Sequence, residues 1–311
     1  MPPVTNLHEA DRLEVIILVD NYTDMFVPDV TAIARRPPFS LSRPLLAEHG
    51  LSCLIRVHAR GKMHDILMDT GISDGCMIHN ARQLDFSLTG VESVVLSHGH
   101  FDHIGGLFSF FRQAGPQIPL VLHPDAFLLR RLNNPVKGIL DLPQLDQASL
   151  KKAGADVRLK KEPSTLADGH LLVTGEVKRI MPFEKGFPGM EAQIDGTWLP
   201  DQILDDQALV INVKSKGLVV ISGCAHAGII NTVEYAKKIT GVDHVHAVMG
   251  GFHLTGALFE PVIQPTIDKM IRINPDYVIP MHCTGWNAIN RFNAAMPGKC
   301  ILNTVGTTYE F

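Results

Sequence analysis

The sequence lacks any segment that would place it in a membrane. None of its apolar runs approaches the roughly 18 uncharged residues that a membrane-spanning helix requires. The first residues, Met1 to Arg12, also lack the basic and apolar regions of a secretory signal peptide. We therefore expect a cytoplasmic protein that does not act at a membrane.

The sequence also has no excess of basic over acidic residues. The 311 residues include 28 Lys and Arg against 32 Asp and Glu, which gives a formal net charge of −4. This balance provides no general attraction to a polyanion, so nucleic acid is not an expected partner. The sequence also lacks a Gly-rich phosphate-binding loop and a Ser/His/Asp constellation, which removes two common kinds of catalytic site.

Cysteine is scarce and scattered. The five residues, Cys53, Cys76, Cys224, Cys283 and Cys300, are odd in number and form no CxxC pair. This pattern does not indicate a disulfide framework, and we expect reduced thiols, in agreement with a cytoplasmic location. Histidine, in contrast, is abundant at 15 residues, and several histidines cluster with Asp and Gly.

Apolar runs and helical patterns follow one another along the chain. The predicted strands cover residues 14–20, 51–58, 65–68, 93–97, 119–122, 208–213, 218–222, 244–249 and 277–280. The predicted helices cover residues 107–112, 147–152, 229–239 and 261–273. Four prolines make 21–44 a predicted long loop, of the length that often forms a lid or a binding loop. One domain over residues 1–311, with an insertion around 124–204, fits this pattern better than two domains.

Four residues of metal-ligand type lie within six positions directly after the predicted strand 93–97. They are His98, His100, Asp102 and His103. At the end of a strand, residues i and i+2 project to one side, so His98 and His100 can hold one cation together. Asp102 and His103 can converge on a second cation in a turn that opens a helix. Imidazole and carboxylate are ligands that Zn, Fe and Mn accept.

This segment resembles the HxHxDH signature of the metallo-β-lactamase superfamily. Asp69-Thr-Gly71, one hairpin earlier, resembles the motif whose aspartate braces the metal loop in that family. The resemblance implies an α/β fold, an αββα sandwich with a dinuclear site at one sheet edge. It also implies two divalent metal ions, with Zn expected and Fe or Mn as alternatives. We expect both Asp102 and Asp69 to be needed for catalysis, Asp69 without touching metal.

Further motifs resemble one subgroup of that superfamily, the 7,8-dihydropterin-6-methyl-4-(β-ribofuranosyl)aminobenzene 5′-phosphate synthase-like proteins. These motifs are Leu18–Asn21, Leu45–Ser52, Gly223–Gly228, Gly250–His253 and His282–Gly285. Their number and order make the resemblance to the subgroup fairly specific. The substrate in its name does not follow from a shared fold.

The remaining metal ligands follow from the resemblance, with departures from the common pattern. His282 matches the last ligand, which binds the second metal. Cys224 stands where the superfamily usually has an aspartate bridging both metals, and we expect His226, two residues later, to be a ligand instead. The histidine that usually precedes the second hairpin is missing. Three residues stay open as metal or substrate contacts: His253, Cys224 and Asp206, with its neighbour Asp205 as an alternative to Asp206.

Three other histidines are not expected to bind metal. His170 lies in a Gly-containing turn and is expected to be exposed. His244 and His246 imitate an HxH pair, but they lie inside a predicted strand rather than at its end. A polar sheet face is the better interpretation of that pair.

The predicted function is metal-dependent hydrolysis of an ester or phosphoester in a small molecule, by a water that two cations activate. In the loop 21–44, Arg35 and Arg36 are candidate substrate-binding residues, because guanidinium groups pair with phosphate. A solvated basic loop is the alternative. Two other functions stay open, a pterin-biosynthesis synthase or transferase that acts on a ribosylaminobenzene phosphate, and a metal-holding binding module without catalysis.

Overall fold

Two large β-sheets pack face to face, and helices cover their outer faces. The computed structural model describes residues 5–28, 31–134, 136 and 138–311. The strands, in chain order, are β1 Glu9–Ala10, β2 Arg12–Val19, β3 Ala34–Arg35, β4 Ser52–Ala59, β5 Lys62–Met68, β6 Ser93–Val95, β7 Ile118–Leu122, β8 Arg130–Asn134, β9 Gly138–Asp141, β10 Ala155–Leu159, β11 Ser164–Leu166, β12 Leu171–Val173, β13 Met190–Ile194, β14 Thr197–Pro200, β15 Ala208–Val213, β16 Gly217–Ser222, β17 Val245–Gly251, β18 Tyr277–Met281 and β19 Thr308–Glu310. The helices are α1 Cys76–Gln83, α2 Phe101–Ile104, α3 Leu107–Ala114, α4 Gln147–Ala153, α5 Ile229–Thr240, α6 Glu260–Ile273 and α7 Trp286–Ala295.

The two main sheets each combine antiparallel hairpins with a run of parallel strands. One has eight strands in the order β10-β7-β6-β5-β4-β2-β19-β3. The other has the order β11-β12-β15-β16-β17-β18, and β1 pairs with the edge of β15. In the first sheet β5, β6 and β7 are parallel, and in the second β16, β17 and β18 are parallel. The expected αββα sandwich is therefore confirmed.

Three apolar layers hold the sandwich together. The central layer lies between the sheets and includes Val15, Ile55 and Ile221, all fully buried. Helices α1, α3 and α4 pack on the outer face of the eight-stranded sheet, and α5, α6 and α7 pack on the other sheet. Because the parallel strands are covered on both faces, their sequences show continuous apolar runs without alternation.

Helix α5 shows how closely the sequence pattern is followed. The residues predicted to form its apolar stripe are all buried against the sheet: Ile229, Ile230, Val233, Ala236 and Ile239. The helix ends at Gly241, whose φ of 72° is the left-handed conformation that glycine adopts without strain. Helices α3, α4 and α6 likewise lie where the sequence predicted them, within a few residues at their ends.

The segment 124–204, predicted to be an insertion, contributes to all three sheets. Strands β8, β9, β13 and β14 form a separate sheet in the order β14-β13-β8-β9. Strand β10, however, pairs with β7, and the hairpin β11–β12 pairs with β15. Only part of the segment therefore stands outside the sandwich.

Two loop predictions have different outcomes. The predicted loop 21–44 contains the two-residue strand β3, which pairs with β19, and its residues 29 and 30 lie outside the described residues. The prediction that His170 is exposed is wrong, because only 2% of this residue is accessible. Its Nδ1 lies 2.8 Å from the Glu9 carbonyl oxygen, so the N-terminal segment covers it.

No helix in the described part of the chain has the length and apolar character needed to span a membrane.

Candidate metal centre

The carboxyl ends of the parallel strands bring the predicted ligands to one end of the sandwich. The segment His98–His103 follows β6 in one sheet, and Asp69 follows the neighbouring strand β5. In the other sheet, the segment Cys224–His226 follows β16, His253 follows β17 and His282 follows β18. Residues that are far apart along the chain therefore meet, because parallel strands present their ends at one edge.

Close packing of the backbone fixes the loop that carries His98 and His100. A Cβ atom on Gly99 would lie 2.4 Å from the carbonyl oxygen of Ala126, so only glycine fits between these two histidines. Asp69 and His282 adopt left-handed backbone conformations, with φ of 58° and 51°. Such conformations cost free energy in residues other than glycine and are concentrated at functional sites.

Three imidazole rings form a first donor group. The ring centroids of His98 and His100 lie 4.4 Å apart, and His226 lies 4.8 Å from His98 and 4.7 Å from His100. Nε2 of His98, Nε2 of His100 and both ring nitrogens of His226 are buried without a hydrogen-bond partner. Burial is the main reason that the pKa of His98 and of His226 lies well below the usual value and that of His100 falls to about 3. These rings are neutral and present free lone pairs.

Asp102, His103, Cys224 and His282 form a second donor group, in which the ligand atoms all lie within 4.8 Å of one another. Oδ2 of Asp102 lies 3.3 Å from Nε2 of His282 and 3.8 Å from Nε2 of His103. Although burial opposes ionisation, His103, His282 and His49 hold the pKa of Asp102 well below its usual value. The group therefore contains a permanent negative charge.

Cys224 belongs to both groups. Its Sγ lies within 4.8 Å of ligand nitrogens of His98 and His226, and it satisfies the same limit with the second group. Nε2 of His103 lies 3.2 Å from this sulfur. Burial raises the pKa of the Cys224 thiol well above its usual range, so the metal-free thiol is neutral. The sequence favoured His226 over Cys224 as a ligand, whereas the structure brings both into the centre.

The donor set fits divalent transition metal ions. Buried ring nitrogens without partners, an ionised carboxylate and a thiol are the ligands that Zn²⁺ prefers, and Fe²⁺ accepts the same atoms. His98, His100 and His226 would hold one ion, and Asp102, His103 and His282 another, with Cys224 in reach of both groups.

Replacing His226 by Ala is expected to lower metal content and activity by roughly 10–100-fold. The reason is that His226 is the one ring of the first group that comes from the opposite sheet. Metal analysis of the purified variant and a rate measurement test this. Half-buried His79 on α1, which contacts the Pro44 carbonyl oxygen and lies outside the donor groups, provides a control as His79→Ala. Full metal occupancy with an unchanged rate would make His226 a structural residue.

Asp69 lies behind the donor groups. It is fully buried, and its Oδ2 lies 2.7 Å from Nδ1 of His103. Its carboxylate also accepts hydrogen bonds from the backbone N–H and the hydroxyl of Ser97, at 2.7 and 2.6 Å. Since Nδ1 of His103 is occupied in this way, Nε2 is left to face Cys224. Asp69 is thus placed to orient a ligand rather than to bind a cation.

We expect Asp69→Asn to reduce metal affinity by roughly 10–100-fold while the protein still folds. The amide keeps the size of the side chain but loses the charge that holds the His103 ring. Metal stoichiometry and the thermal unfolding midpoint should be measured on the same sample. Asp195→Asn, at an exposed turn with φ of 49°, is the matched control. Unchanged stoichiometry and activity in Asp69→Asn would identify Asp69 as a turn residue only.

His253 lies on the border between the donors and an aromatic wall. Its Nδ1 is buried without a partner, and it forms a third group of neighbouring ligand atoms with Cys224 and Cys283. The ring centroid of His253 lies 4.8 Å from that of Phe187 and 4.7 Å from that of Phe259. A cavity of about 40 Å³ adjoins this wall and is lined by Phe183, Glu184, Lys185, Gly186, Ala225, His226, Gly228, Phe252, His253, Leu254, Phe259 and Val262.

The two neighbouring aspartates proposed as alternative ligands support the loops from behind. Asp205 accepts a hydrogen bond from the backbone N–H of Gly99 at 2.8 Å and forms an ion pair of 2.6 Å with Arg130. Asp206 accepts a hydrogen bond from the N–H of Ala227 at 2.8 Å, and burial raises its pKa to about 7. Among the described residues, neither belongs to a group of converging ligand atoms.

Three polar residues at the site were given no role from the sequence. Oδ1 of Asp20 accepts a hydrogen bond from the backbone N–H of His282 at 2.8 Å. Oδ1 of Asn21 lies 3.2 Å from Nδ1 of His282, and Nε2 of His49 lies 3.3 Å from Oδ2 of Asp102. Asp20, Asn21 and His49 lie inside the Leu18–Asn21 and Leu45–Ser52 motifs, so those motifs were the available signal.

The two candidate substrate-binding arginines lie at a different opening. Arg35 forms an ion pair of 2.8 Å with Glu310. Arg36 donates hydrogen bonds to the hydroxyl of Thr307 at 2.6 Å and to the carbonyl oxygen of Leu302 at 2.6 Å. Both line a cavity of about 280 Å³ together with residues of the loop 21–44 and the C-terminal segment. A role for them in substrate binding stays a prediction.

Comparison with known proteins places this geometry in a family. The model of the metallo-β-lactamase superfamily matches residues 49–237. The chain belongs to the metallo-β-lactamase superfamily. It is 30% identical over 293 residues to 7,8-dihydropterin-6-methyl-4-(β-D-ribofuranosyl)-aminobenzene-5′-phosphate synthase of Methanocaldococcus jannaschii, covering 92% of each chain. It is 32% identical over 251 residues to an uncharacterised protein of the same organism, covering 81% of this chain and 90% of that protein.

The solved structures give the same fold. A crystal structure described as a metal-dependent hydrolase of the β-lactamase superfamily superposes with a TM-score of 0.74, at 23% identity, over 95% of this chain and 98% of that chain. The family model and the 30% identity to the synthase confirm the expected superfamily and the resemblance to the synthase subgroup.

Proposed function

We propose that the chain is a metal-dependent hydrolase that cleaves an ester or phosphoester bond in a small molecule. The observation that carries the proposal is the sharing of Cys224 between two groups of metal-ligand atoms. Divalent ions held by these groups would lower the pKa of a bound water, so that hydroxide would be available near neutral pH. The protein's own residues would bind and orient the substrate and exchange protons with it.

The surroundings of the donor groups are suited to these tasks. The His49 side chain lies next to Asp102 and is 55% exposed, so it can exchange protons between the site and solvent. The ring of Phe187 lies parallel to that of His226, at 6.0 Å and 10°, and keeps water from that side. Lys185 lines the adjoining cavity and supplies the positive charge that a phosphorylated substrate would need.

A second candidate function is a synthase or transferase reaction on a ribosylaminobenzene phosphate. The 30% identity over 92% of the chain to a protein with that name supports this alternative. A planar ring could lie against Phe187 and Phe259, whose centroids are 5.5 Å apart. The same donor groups would then serve a bond-forming reaction.

Two assays on one metal-analysed sample test these proposals. The protein is first reconstituted with Zn²⁺, Mn²⁺ or Fe²⁺, and we expect close to two equivalents bound. Chromogenic phosphodiesters, phosphomonoesters and esters then test hydrolysis. The synthase is tested with a ribosylaminobenzene phosphate and a dihydropterin that carries a leaving group on its 6-methyl carbon, because the amine must displace that group and lose a proton. Activity in only the second assay would overturn the hydrolase proposal. Bound metal without either activity would favour a metal-holding module.

A further inference from the structure

We propose that His244, His246 and Asp276 form a second, separate binding site for one divalent transition-metal ion. The site lies at the amino ends of β17 and β18, whereas the candidate metal centre follows their carboxyl ends. Strand β17 has seven residues, so the two sites are roughly 20 Å apart. The inference does not depend on the proposed function.

Rigid sheet structure brings the three side chains together. His244 directly precedes β17, and His246 is the second residue of that strand, at a register shift between β16 and β17. A bulge of this kind re-aims side chains, and here both imidazoles reach Asp276. Strand β18 runs parallel to β17 with Tyr277 opposite Ala247, which places Asp276 beside His246. The backbone of His244 is fixed as well, since its carbonyl oxygen accepts a hydrogen bond from Leu218 N–H at 2.9 Å.

The ligand atoms converge on one point. Nε2 of His244 lies 3.1 Å and Nδ1 of His246 lies 2.7 Å from the same carboxylate oxygen, Oδ2 of Asp276. All three ligand atoms lie within 4.8 Å of one another. Two imidazoles and one carboxylate, with coordination positions left for water, match the open three-ligand sites of zinc and suit Cu²⁺ and Ni²⁺.

The tautomer of His246 favours a cation over a plain hydrogen-bonded cluster. Without metal, its proton must lie on Nδ1 to reach Asp276, which leaves Nε2 buried without a partner. The ring of His246 is nearly perpendicular to those of Tyr277 and Phe311, at 88° and 83°. With metal on Nδ1, the proton would move to Nε2, where the only described ring neighbours are aromatic and can accept an N–H.

The position of the site also allows entry from solvent. The side chain of His244 is 58% exposed and that of Asp276 is 42% exposed. Strand β18 is the last strand of its sheet, so a bound ion would tie this outer strand to β17. Metal binding should therefore raise the unfolding temperature of the native protein.

Zinc titration of protein whose metal centre is already loaded tests the site. We expect the wild type to bind about one more equivalent of Zn²⁺ than His244→Ala and to show a higher unfolding midpoint with added Zn²⁺. His79→Ala, which removes a half-buried histidine on α1, should behave like the wild type, and the metal content of the candidate metal centre should be the same in all three. Equal Zn²⁺ binding by wild type and His244→Ala would overturn the proposal.

A spectroscopic measurement distinguishes the cluster from adventitious binding. With Zn²⁺ in the metal centre, added Cu²⁺ should give an electron paramagnetic resonance spectrum with coupling to imidazole nitrogen. That coupling should be lost in His244→Ala and weakened in Asp276→Asn. Since both side chains are exposed, neither substitution threatens folding. The same spectrum in wild type and both variants would also overturn the proposal.

Discussion

Replacing Cys224 by Ala is expected to lower the activity of the metal-loaded protein by roughly 10²–10⁴-fold, because metal catalysis contributes several kcal/mol to the barrier. Cys224 is the residue common to both donor groups, so its loss should affect both ions. Among the described residues, Cys224 is the one whose sulfur lies within hydrogen-bond distance of His103, with 3.2 Å between Sγ and Nε2. Metal content per chain and the hydrolysis rate should fall together.

Two further variants make this prediction specific to the sulfur position. Cys224→Asp restores the carboxylate that the superfamily usually has there, and it should retain more metal than Cys224→Ala. Cys300→Ala removes a half-buried thiol that belongs to none of the groups of ligand atoms found in the described residues. It should leave metal content unchanged. Normal metal content and rate in Cys224→Ala would return Cys224 to the class of buried packing thiols.

The fold could be predicted because its signals are local. Apolar runs of five to eight residues and the stripe of Ile229, Ile230, Val233, Ala236 and Ile239 depend only on periodicity, and the family motif then supplied the topology. The segment 124–204 was harder, since β10, β11 and β12 are short strands that join distant parts of the sheets. Their pairing depends on tertiary contacts that no local pattern records.

The candidate site was predictable where its residues are adjacent in sequence. His98, His100, Asp102 and His103 lie on one turn after β6, so spacing alone brought them together. Residues contributed by other loops were harder to rank as metal ligands, because their role depends on how deeply they are buried and on which side chains lie near them in the fold. Cys224 is an example, since a buried thiol more often packs in the core than binds metal. Its contact with His103 is seen only in the folded structure, where the end of β16 lies beside α2.

Supporting residues were the least predictable part. Asp20 and Asn21 contact His282, which lies 262 and 261 residues further along the chain. Arg130 forms its hydrogen bonds with Asp205, which is 75 residues away in sequence. A single charged residue in a segment without clear periodicity carries no local sign that it is buried. Because charged residues are mostly exposed, no pattern around Arg130 indicated a place in the interior.

Arg130→Met is expected to destabilise the protein by about 3–5 kcal/mol, because removing one partner of a buried ion pair leaves an uncompensated charge. Arg130 is 3% exposed and pairs with Asp201 at 2.7 Å and Asp205 at 2.6 Å. Asp205 in turn holds the backbone N–H of Gly99, so the loop between His98 and His100 should lose its support. Urea unfolding of the metal-free protein measures the free energy, and metal analysis measures the effect on the loop.

The neighbouring residue on the same strand provides the control. Arg131 pairs with Glu191 at 2.6 Å, but both side chains are about one-fifth exposed, so Arg131→Met should cost much less than Arg130→Met. In the double variant Arg130→Met/Asp205→Asn, one uncompensated carboxylate is removed, and part of the lost stability should return. If Arg130→Met and Arg131→Met destabilised the protein equally, the buried ion pairs of Arg130 would not be what holds the metal loop from behind.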